Sequence, residues 1–420
     1  MNKKVIALAV AGALTAPAVA LAQVQIGGSI TAFYYQHKPE NPSTGQSGDI
    51  LETSEPEIRI SGSEKLGGGL EAWFQCTSSL DGIVGGASAV ANSGWCARNS
   101  GIGFRGGFGN FFVGNWDQPQ KLVFNAGRGW WGGTNAFTGG SAVLLNGGSA
   151  SGTANPVQTV VASAAIAAAT GAATTITNNP GTFFRRQANS LNYHSPNWGG
   201  FSLQAGYSAN NESTGIPESS SLTPRMYSLA GQFRSGPIYV GVGYEGHTDY
   251  NPANVGSGTA AAAYNGGDDT NITAVVGFQM AGFSVRALYS KSEYETTNST
   301  SLDVDGYGVF ADWNISGPHT LRLQAAEVSD TSGSSTVSVG SYKGSTVSTC
   351  GPSSAASCAS DTGAKLLGVA YSYALSKRTM VSAAYTVIDN DSNANFSKGK
   401  TAATLGGKQT TTGLILQHRF

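Results

Sequence analysis

The stretch Ile238-Tyr-Val-Gly-Val-Gly-Tyr244 decides the fold class, because its apolar side chains recur at every second position. A strict period of two is typical of a β-strand whose two faces meet different surroundings. One face here carries Ile, Val, Val and Tyr, whereas the other carries Tyr and two Gly residues. The same alternation returns, with few exceptions, in residues 201–207, 283–289 and 319–325. The sequence therefore predicts an all-β protein whose strands have one mostly apolar face and one face rich in Gly, Ser, Gln and Arg.

The connections between these segments alternate between very short and long. Residues 66–69, 235–237 and 281–282 are short turns, whereas residues 78–97 and 330–362 are long and rich in Asn, Ser, Thr and Gly. A transmembrane barrel has this asymmetry, since its periplasmic turns are short and its extracellular loops are long. The predicted strands are centred near residues 30, 60, 73, 102, 113, 189, 204, 230, 242, 275, 287, 309, 323, 369, 384 and 415. We therefore expect one transmembrane antiparallel β-barrel of 16 strands over residues 23–420, wide enough to hold an aqueous channel.

Composition excludes several other classes of protein. Gly accounts for 58 of 420 residues, Cys for 4 and charged residues for 12%, and the formal net charge is −1. Four cysteines are too few for a disulfide scaffold, and the charge balance lacks the basic excess of nucleic-acid-binding proteins. No stretch after residue 22 approaches the run of about 18 apolar residues that a membrane-spanning helix needs.

The N-terminal segment has the features of a secretory signal peptide. Lys3 and Lys4 precede an apolar run over residues 5–14, and the small residues Ala20 and Ala22 stand at the two positions that determine cleavage. The apolar run is too short for a membrane anchor. We expect residues 1–22 to be removed during export to the cell outer membrane of a Gram-negative bacterium.

The third long connection, between the fifth and sixth predicted strands, has about 65 residues, and loops of this length are usually functional or disordered. Its first half, residues 117–147, is rich in Gly and aromatic residues. We expect this half to fold into the lumen and narrow the channel, although an exposed extracellular loop is the alternative. Trp130 and Trp131 would then be candidates for an aromatic lining of the pore.

The distribution of charge favours anions. Residues 118–211 contain no Asp or Glu but include Lys121, Arg128, Arg185 and Arg186. On the polar face of the strands, arginines outnumber carboxylates, and rings of positive side chains favour the passage of anions. The alternative is that these arginines only pair with carboxylates or carbonyl groups of the wall. The arginines on this face are Arg59, Arg105, Arg186, Arg234, Arg286 and Arg322, and the carboxylates are Glu57, Glu71, Glu245 and Asp312.

Several stretches, in order along the chain, carry a resemblance to a known family. Residues 62–75 read Gly-Ser-Glu-Lys-Leu-Gly-Gly-Gly-Leu-Glu-Ala-Trp-Phe-Gln, and residues 98–109 end in Gly-Phe-Arg-Gly-Gly-Phe-Gly. Residues 186–201, residues 373–379 and the terminal His418-Arg-Phe420 complete the set. Together they resemble the Gram-negative general porins of β-proteobacteria, of the Neisseria, Burkholderia and Comamonas type.

The resemblance implies a trimeric diffusion porin whose third loop folds into the channel. It implies that Arg59, Arg98 and Arg186 are constriction residues. We expect Arg105 and Lys121 to be further basic residues of the pore. Simple alternation would point Arg98 toward lipid, and a bend near the end of its strand would be needed to turn it inward. Family members commonly carry an Arg at the position of Asn115.

The C-terminal strand ends in an aromatic residue, Phe420, with Leu414, Leu416 and His418 on the same face. This ending resembles the signal that the barrel-assembly machinery reads. The expected partners are therefore this machinery, a homotrimer of the chain itself, outer-membrane lipids and lipopolysaccharide, and small hydrophilic solutes or anions.

The four cysteines are candidates for disulfides within two loops. Three pairings are possible, and closing each loop on itself gives Cys76–Cys96 and Cys350–Cys358. A zinc site is the sharper alternative, but no His lies at ligand spacing from either pair. No metal and no cofactor are expected.

The expected function is passive diffusion of small hydrophilic solutes and ions across the outer membrane, with a preference for anions. A substrate-specific pore for sugars or organic anions is the alternative, because Trp130 and Trp131 would suit such solutes. A structural or adhesive barrel is a further alternative, and such a barrel would be closed to ions. An enzyme is not expected, since the five histidines lie in separate segments and none stands beside a nucleophile and an orienting group.

Overall fold

The structure is a computed structural model that describes residues 24–40, 48–53, 56–80, 95–132, 140–145, 160–161, 175–176, 183–209, 225–248, 268–297, 300–335, 339, 341–344, 360–397 and 404–420. Within these ranges the chain forms sixteen long strands. They are β1 (Gln25–Pro39), β2 (Glu57–Gly67), β3 (Leu70–Ser79), β4 (Ser100–Gly106), β5 (Gly109–Asp117), β6 (Arg186–His194), β7 (Phe201–Ser208), β8 (Arg225–Ser235), β9 (Ile238–Thr248), β10 (Asp269–Met280), β11 (Phe283–Thr297), β12 (Thr300–Ser316), β13 (His319–Val328), β14 (Ala364–Ala374), β15 (Thr379–Asn390) and β16 (Gln409–Arg419).

The sheet closes into a barrel because its first and last strands pair. β1 pairs antiparallel with β16 from Ser29 opposite Arg419 to Pro39 opposite Gln409, and on its other edge it pairs with β2. Two short pieces extend the sheet, Gly48–Thr53 beside β1 and Ser332–Gly333 beside β12. Every predicted strand centre falls inside one of the sixteen strands, so the prediction of a 16-strand transmembrane barrel is confirmed.

The two faces of the wall separate as the alternation predicts. On β9, Ile238, Val240 and Val242 point outward and are 47%, 40% and 45% exposed. The intervening Gly241 and Gly243 are buried on the inner side. An outward apolar face and an inward small or polar face are the arrangement that a lipid-embedded barrel requires. Closure also pairs the backbone groups between neighbouring strands, which hydrocarbon surroundings would otherwise leave unsatisfied.

The short turns lie at one end of the barrel and several use glycine. Gly236 between β8 and β9 and Gly317 between β12 and β13 have φ angles of 52° and 51°. This left-handed backbone conformation costs glycine little, because glycine has no Cβ. The turns thus fix the register of the hairpins on the periplasmic side.

Helices occur between β5 and β6. They are α1 (Pro119–Arg128), a 3-10 turn (Gly129–Gly132) and α2 (Gly140–Leu145). Pro119 suits the first helical position, where a backbone N–H has no partner in any case. Gly129, with φ of 57°, follows the last residue of α1.

Among the described residues, no helix has the length and apolar character needed to cross a membrane. Residues 1–22, which contain the expected signal peptide, and Cys350 and Cys358 lie outside the described part of the chain.

Candidate functional site

The third long loop begins with α1, which lies against the inner face of the barrel wall. The backbone N–H of Gln120 donates to Ser228 Oγ of β8 at 3.0 Å. Its side-chain amide donates to Thr273 Oγ1 of β10 at 3.2 Å and to Asn271 Oδ1. Because these partners point into the barrel, α1 lies on the inner side of the wall.

Glycines on the inner face make room for this helix. A Cβ added at Gly243 of β9 would lie 2.9 Å from the Cα of Gln120. One added at Gly206 of β7 would lie 3.1 Å from Cδ of Pro119. The glycine-rich polar face that the sequence displays is therefore the docking surface of α1.

The far end of the helical segment is attached to strands further along the wall, β11 and β13. Arg286 of β11 donates from Nε to the carbonyl oxygen of Gly127 at 3.2 Å. Trp131 donates from Nε1 to the carbonyl oxygen of Leu323 on β13 at 3.2 Å. A guanidinium at the C-terminal end of a helix is favourable, because the carbonyl groups there carry partial negative charge.

A small hydrophobic core fills the lumen beside α2, and sequence analysis did not predict it. Leu144 of α2 is fully buried, and its carbonyl oxygen accepts a hydrogen bond from Tyr342 Oη at 2.8 Å. The Tyr342 ring lies 6.0 Å from that of Phe396, and both rings are buried. These residues come from the third loop and from the connections β13–β14 and β15–β16. We call this packing the three-loop core; it attaches α2 to the two other connections.

The first basic cluster lies on β2 and beside β4, around one carboxylate. Glu57 Oε1 accepts from Arg59 at 2.9 Å, and Glu57 Oε2 accepts from Arg98 at 3.2 Å. The Arg59 side chain is 49% exposed and that of Arg98 is 11% exposed. Arg98 thus points inward despite simple alternation, because residues 95–99 precede β4 and bend away from strand geometry. Two guanidinium groups and one carboxylate give these three side chains a formal charge of +1.

The second basic cluster joins the end of β5, the start of α1 and the start of β6. Lys121 Nζ lies 2.6 Å from Asp117 Oδ1, and Arg186 Nη2 lies 3.4 Å from the same oxygen. Asn99 links this cluster to the first, since it donates to Asp117 Oδ2 at 3.0 Å and accepts from Arg186 Nε at 2.6 Å. Asn99 follows Arg98 directly, so the two clusters are continuous along the wall.

The third basic cluster lies on β11, β12 and β13, beside the 3-10 turn. Asp312 Oδ1 accepts from Arg322 Nη1 at 2.6 Å, and Asp312 Oδ2 accepts from Arg286. The Arg322 guanidinium lies over the ring of Trp130, 4.8 Å from its centre. Here again two cations share one carboxylate, which gives these three side chains a formal charge of +1.

The remaining predicted residues do not join these clusters. Arg105 forms two hydrogen bonds with Glu71, at 2.8 Å and 3.0 Å, near a periplasmic turn, so that pair is neutral. Trp131 is fully buried against the wall and does not line the pore, contrary to the expectation from the sequence. Trp130 is partly buried and covered on one side by Arg322. Contacts between the third loop and strands distant in sequence determine the positions of Trp130 and Trp131, and no local sequence pattern predicts those contacts.

A disulfide lies next to the first basic cluster. Cys76 of β3 is bonded to Cys96, two residues before Arg98. The pairing Cys76–Cys96 is therefore as expected, whereas Cys350–Cys358 falls outside the described residues.

Asn99 was missed by sequence analysis, because it lies outside any strand pattern. The contact between Asp312 and Arg322 depends on an irregularity in the β12–β13 hairpin. Ser316 lies opposite His319, but the register shifts by one residue between Asn314 and Ser316, which brings Asp312 opposite Arg322. Counting outward from the turn would pair Arg322 with Trp313, so the sequence alone does not predict this contact.

A closed barrel with an internal loop and cation-rich walls defines the class of outer-membrane channel proteins. The sequence profile described as "Gram-negative porin" matches residues 7–393. The chain belongs to the Gram-negative porin family, a family of channels and not of enzymes, and this places it in the outer membrane.

Individual relatives agree with this assignment. The major outer membrane protein P.IB of Neisseria gonorrhoeae is 31% identical over 126 residues, which are 29% of this chain and 34% of that protein. The chain thus spans about a third of the length of this relative. The anion-selective porin from Comamonas acidovorans matches with a TM-score of 0.67 at 18% identity, over 95% of this chain and 100% of that one. OmpT of Vibrio cholerae, in a trimer form, matches with a TM-score of 0.59 at 13% identity, over 95% of this chain and 99% of that one.

Proposed function

We propose that this chain is a passive diffusion channel for small hydrophilic solutes and ions, and that it favours anions. One observation carries the proposal: in each of three clusters on the inner wall, one carboxylate is shared by two basic side chains. The carboxylates are Glu57, Asp117 and Asp312. Two basic side chains and one carboxylate give each trio a formal charge of +1, which supports a positive lining at these three places although the whole chain has a net charge of −1.

The physical basis is the local field rather than the total charge. Low-dielectric walls focus the field of lining charges into the water between them. Rings of Arg and Lys then raise the local concentration of anions and admit them in preference to cations. We infer that Arg59, Arg98, Lys121 and Arg186 act as constriction residues, and that Arg105 contributes little because Glu71 neutralises it.

We further propose a homotrimer, by analogy with the trimer form named for OmpT of Vibrio cholerae. The anion-selective porin of Comamonas acidovorans supports the proposed selectivity, because it shares the fold. Export would use residues 1–22 as a cleaved signal peptide, and the barrel-assembly machinery would read Phe420 in a membrane that contains lipopolysaccharide. Removal of Phe420 should lower the amount of folded barrel in the outer membrane; an unchanged amount would contradict this role.

The test is the reversal potential of the purified mature protein in a planar bilayer under a KCl gradient. We expect conductance steps in groups of three and a reversal potential of the sign that chloride preference gives. Open channels with a preference for potassium would support the proposed channel function but contradict the role of the basic clusters in selecting anions. Correctly folded protein without conductance would overturn the channel itself and favour a structural or adhesive barrel.

A further inference from the structure

The outer face of the barrel carries an apolar groove where β14, β15, β16 and β1 meet. Its volume is about 520 Å³. The register explains its depth, because Ala383 of β15 lies between Tyr371 of β14 and Leu414 of β16. The small side chain of Ala383 forms the floor of the groove, and the larger side chains of Tyr371 and Leu414 form its two walls. The groove continues toward the periplasmic end between Tyr373, Val381 and Leu416.

The periplasmic mouth of this groove is basic. Thr379 and His418, the next outward-facing residues below Val381 and Leu416, are hydrogen-bonded at 2.9 Å. The backbone N–H of Arg419 donates to the carbonyl oxygen of Arg378 at 2.9 Å, which attaches the turn to β16; the Arg419 side chain follows the alternation of β16 to the inner face. Lys377, Arg378, His418 and Arg419 are all exposed.

Opposing charge at this mouth is sparse. Within the described part of the chain, Lys377, Arg378 and Arg419 form no ion pair with an Asp or Glu side chain. The backbone of Phe420, the residue after Arg419, is paired with Gly28 of β1. Lys377 and Arg378 therefore place positive charge beside the periplasmic end of the apolar groove.

Aromatic side chains indicate how deep the periplasmic end of the groove lies in the membrane. His319 is hydrogen-bonded to Tyr371, and its ring lies 5.1 Å from that of Tyr373. Amphipathic rings of this kind occupy the boundary between hydrocarbon and headgroups. The basic side chains beyond them therefore lie at the level of lipid phosphates.

We propose that this groove binds an anionic phospholipid of the periplasmic leaflet. An acyl chain would lie over Ala383, and the phosphate would contact Lys377 and Arg378 of the turn between β14 and β15. A phospholipid fits because it joins an apolar chain to an anion, and the groove joins an apolar floor to a cationic mouth. This site faces away from the lumen and is independent of conduction.

The test measures lipid retention by native mass spectrometry of the detergent-purified mature protein, equilibrated with phosphatidylglycerol or with phosphatidylcholine of the same chains. We expect phosphatidylglycerol to be retained preferentially, and the preference to weaken at higher salt because the cations are exposed. The double variant Lys377→Gln/Arg378→Gln should reduce the preference, by about five-fold for each cation removed. Lys65→Gln, at the turn between β2 and β3, is the matched control and should leave it unchanged.

A second variant tests the groove itself. Ala383→Trp places a large side chain over the floor on the lipid-facing side, so the barrel should fold and conduct normally. It should lower the retention of both lipids. Equal retention of the two lipids by the natural protein would overturn the proposal, as would an unchanged preference in the double variant. Dissociation of the oligomer by Ala383→Trp, with lipid retention unaffected, would assign the groove to a contact between copies of the chain and would also overturn it.

Discussion

On the wall formed by β8–β10, the inward side chains lie beneath α1: Asn271 and Thr273 are 1% and 0% exposed, and both bond to Gln120. On the wall formed by β2–β4, the inward Arg59 remains 49% exposed and faces water. Both walls have the same strand geometry and the same alternation. The difference teaches that alternation decides which side chains point inward, whereas the third loop decides which of them meet the solute.

The largest effect is expected from a substitution that displaces α1 from the wall formed by β8–β10. Gly243→Leu would force a side chain toward the Cα of Gln120, which a Cβ would already approach to 2.9 Å. Overpacking of this kind typically costs about 1–3 kcal/mol. We expect the loop to shift, with a larger single-channel conductance and weaker anion selectivity.

The matched control is Gly231→Leu on β8. Gly231 points outward, and a Cβ there has its closest neighbour at 3.7 Å. Its conductance should equal that of the natural protein. If Gly243→Leu also left conductance and selectivity unchanged, α1 would not narrow the channel.

Changing the charge of the exposed wall should produce the next largest effect. Glu57→Gln removes the carboxylate that Arg59 and Arg98 share and so makes the formal charge of this wall more positive by one. One unit charge a few ångströms from a passing ion is worth about 1 kcal/mol in water, or about five-fold in relative permeability. The chloride-to-potassium permeability ratio should rise by up to that factor, as measured from reversal potentials.

The opposite change at the same wall should lower that ratio. Arg59→Gln removes one cation from the first cluster and keeps its carboxylate, so the formal charge of this wall falls by one. A ratio that did not respond to either substitution would show that this wall does not line the path of the ions.

Breaking the disulfide tests what holds Arg98 toward the lumen. The Cys76→Ser/Cys96→Ser variant removes a link between residues 20 positions apart, beside the bend that turns Arg98 inward. Loss of such a link typically costs about 2–4 kcal/mol of unfolding free energy. We expect a lower thermal midpoint and a modest fall in anion selectivity. Unchanged selectivity would mean that the hydrogen bond from Arg98 N to the Thr77 carbonyl oxygen suffices to orient the side chain.

The smallest effect is expected at the periplasmic end. Arg105→Gln removes a cation that already has its own carboxylate, Glu71, with both partners substantially exposed. Exposed pairs are typically worth about 0–1 kcal/mol. Selectivity should change by less than in Arg59→Gln, and a larger change would move the constriction toward the periplasm.

The positions of the basic residues were predictable to different degrees. Arg59, Arg186, Arg286 and Arg322 follow the alternation of their strands, and the structure places them inward as predicted. Arg98 required the bend before β4. The burial of Trp131 and the three-loop core depend on loops that meet across the lumen, and residues so distant in sequence leave no periodic signal.

The sequence by itself determined the strands, their faces and their turns, because alternation and turn residues act between neighbours along the chain. It also determined the excess of inward arginines over carboxylates. Only the tertiary structure decided which cations share Glu57, Asp117 and Asp312, and which wall α1 covers. Arg59 and Lys121 lie within four residues of their carboxylates, but the contacts of Arg98 with Glu57 and of Gln120 with Thr273 join segments far apart in sequence. The latter exist only once the barrel has closed around the loop.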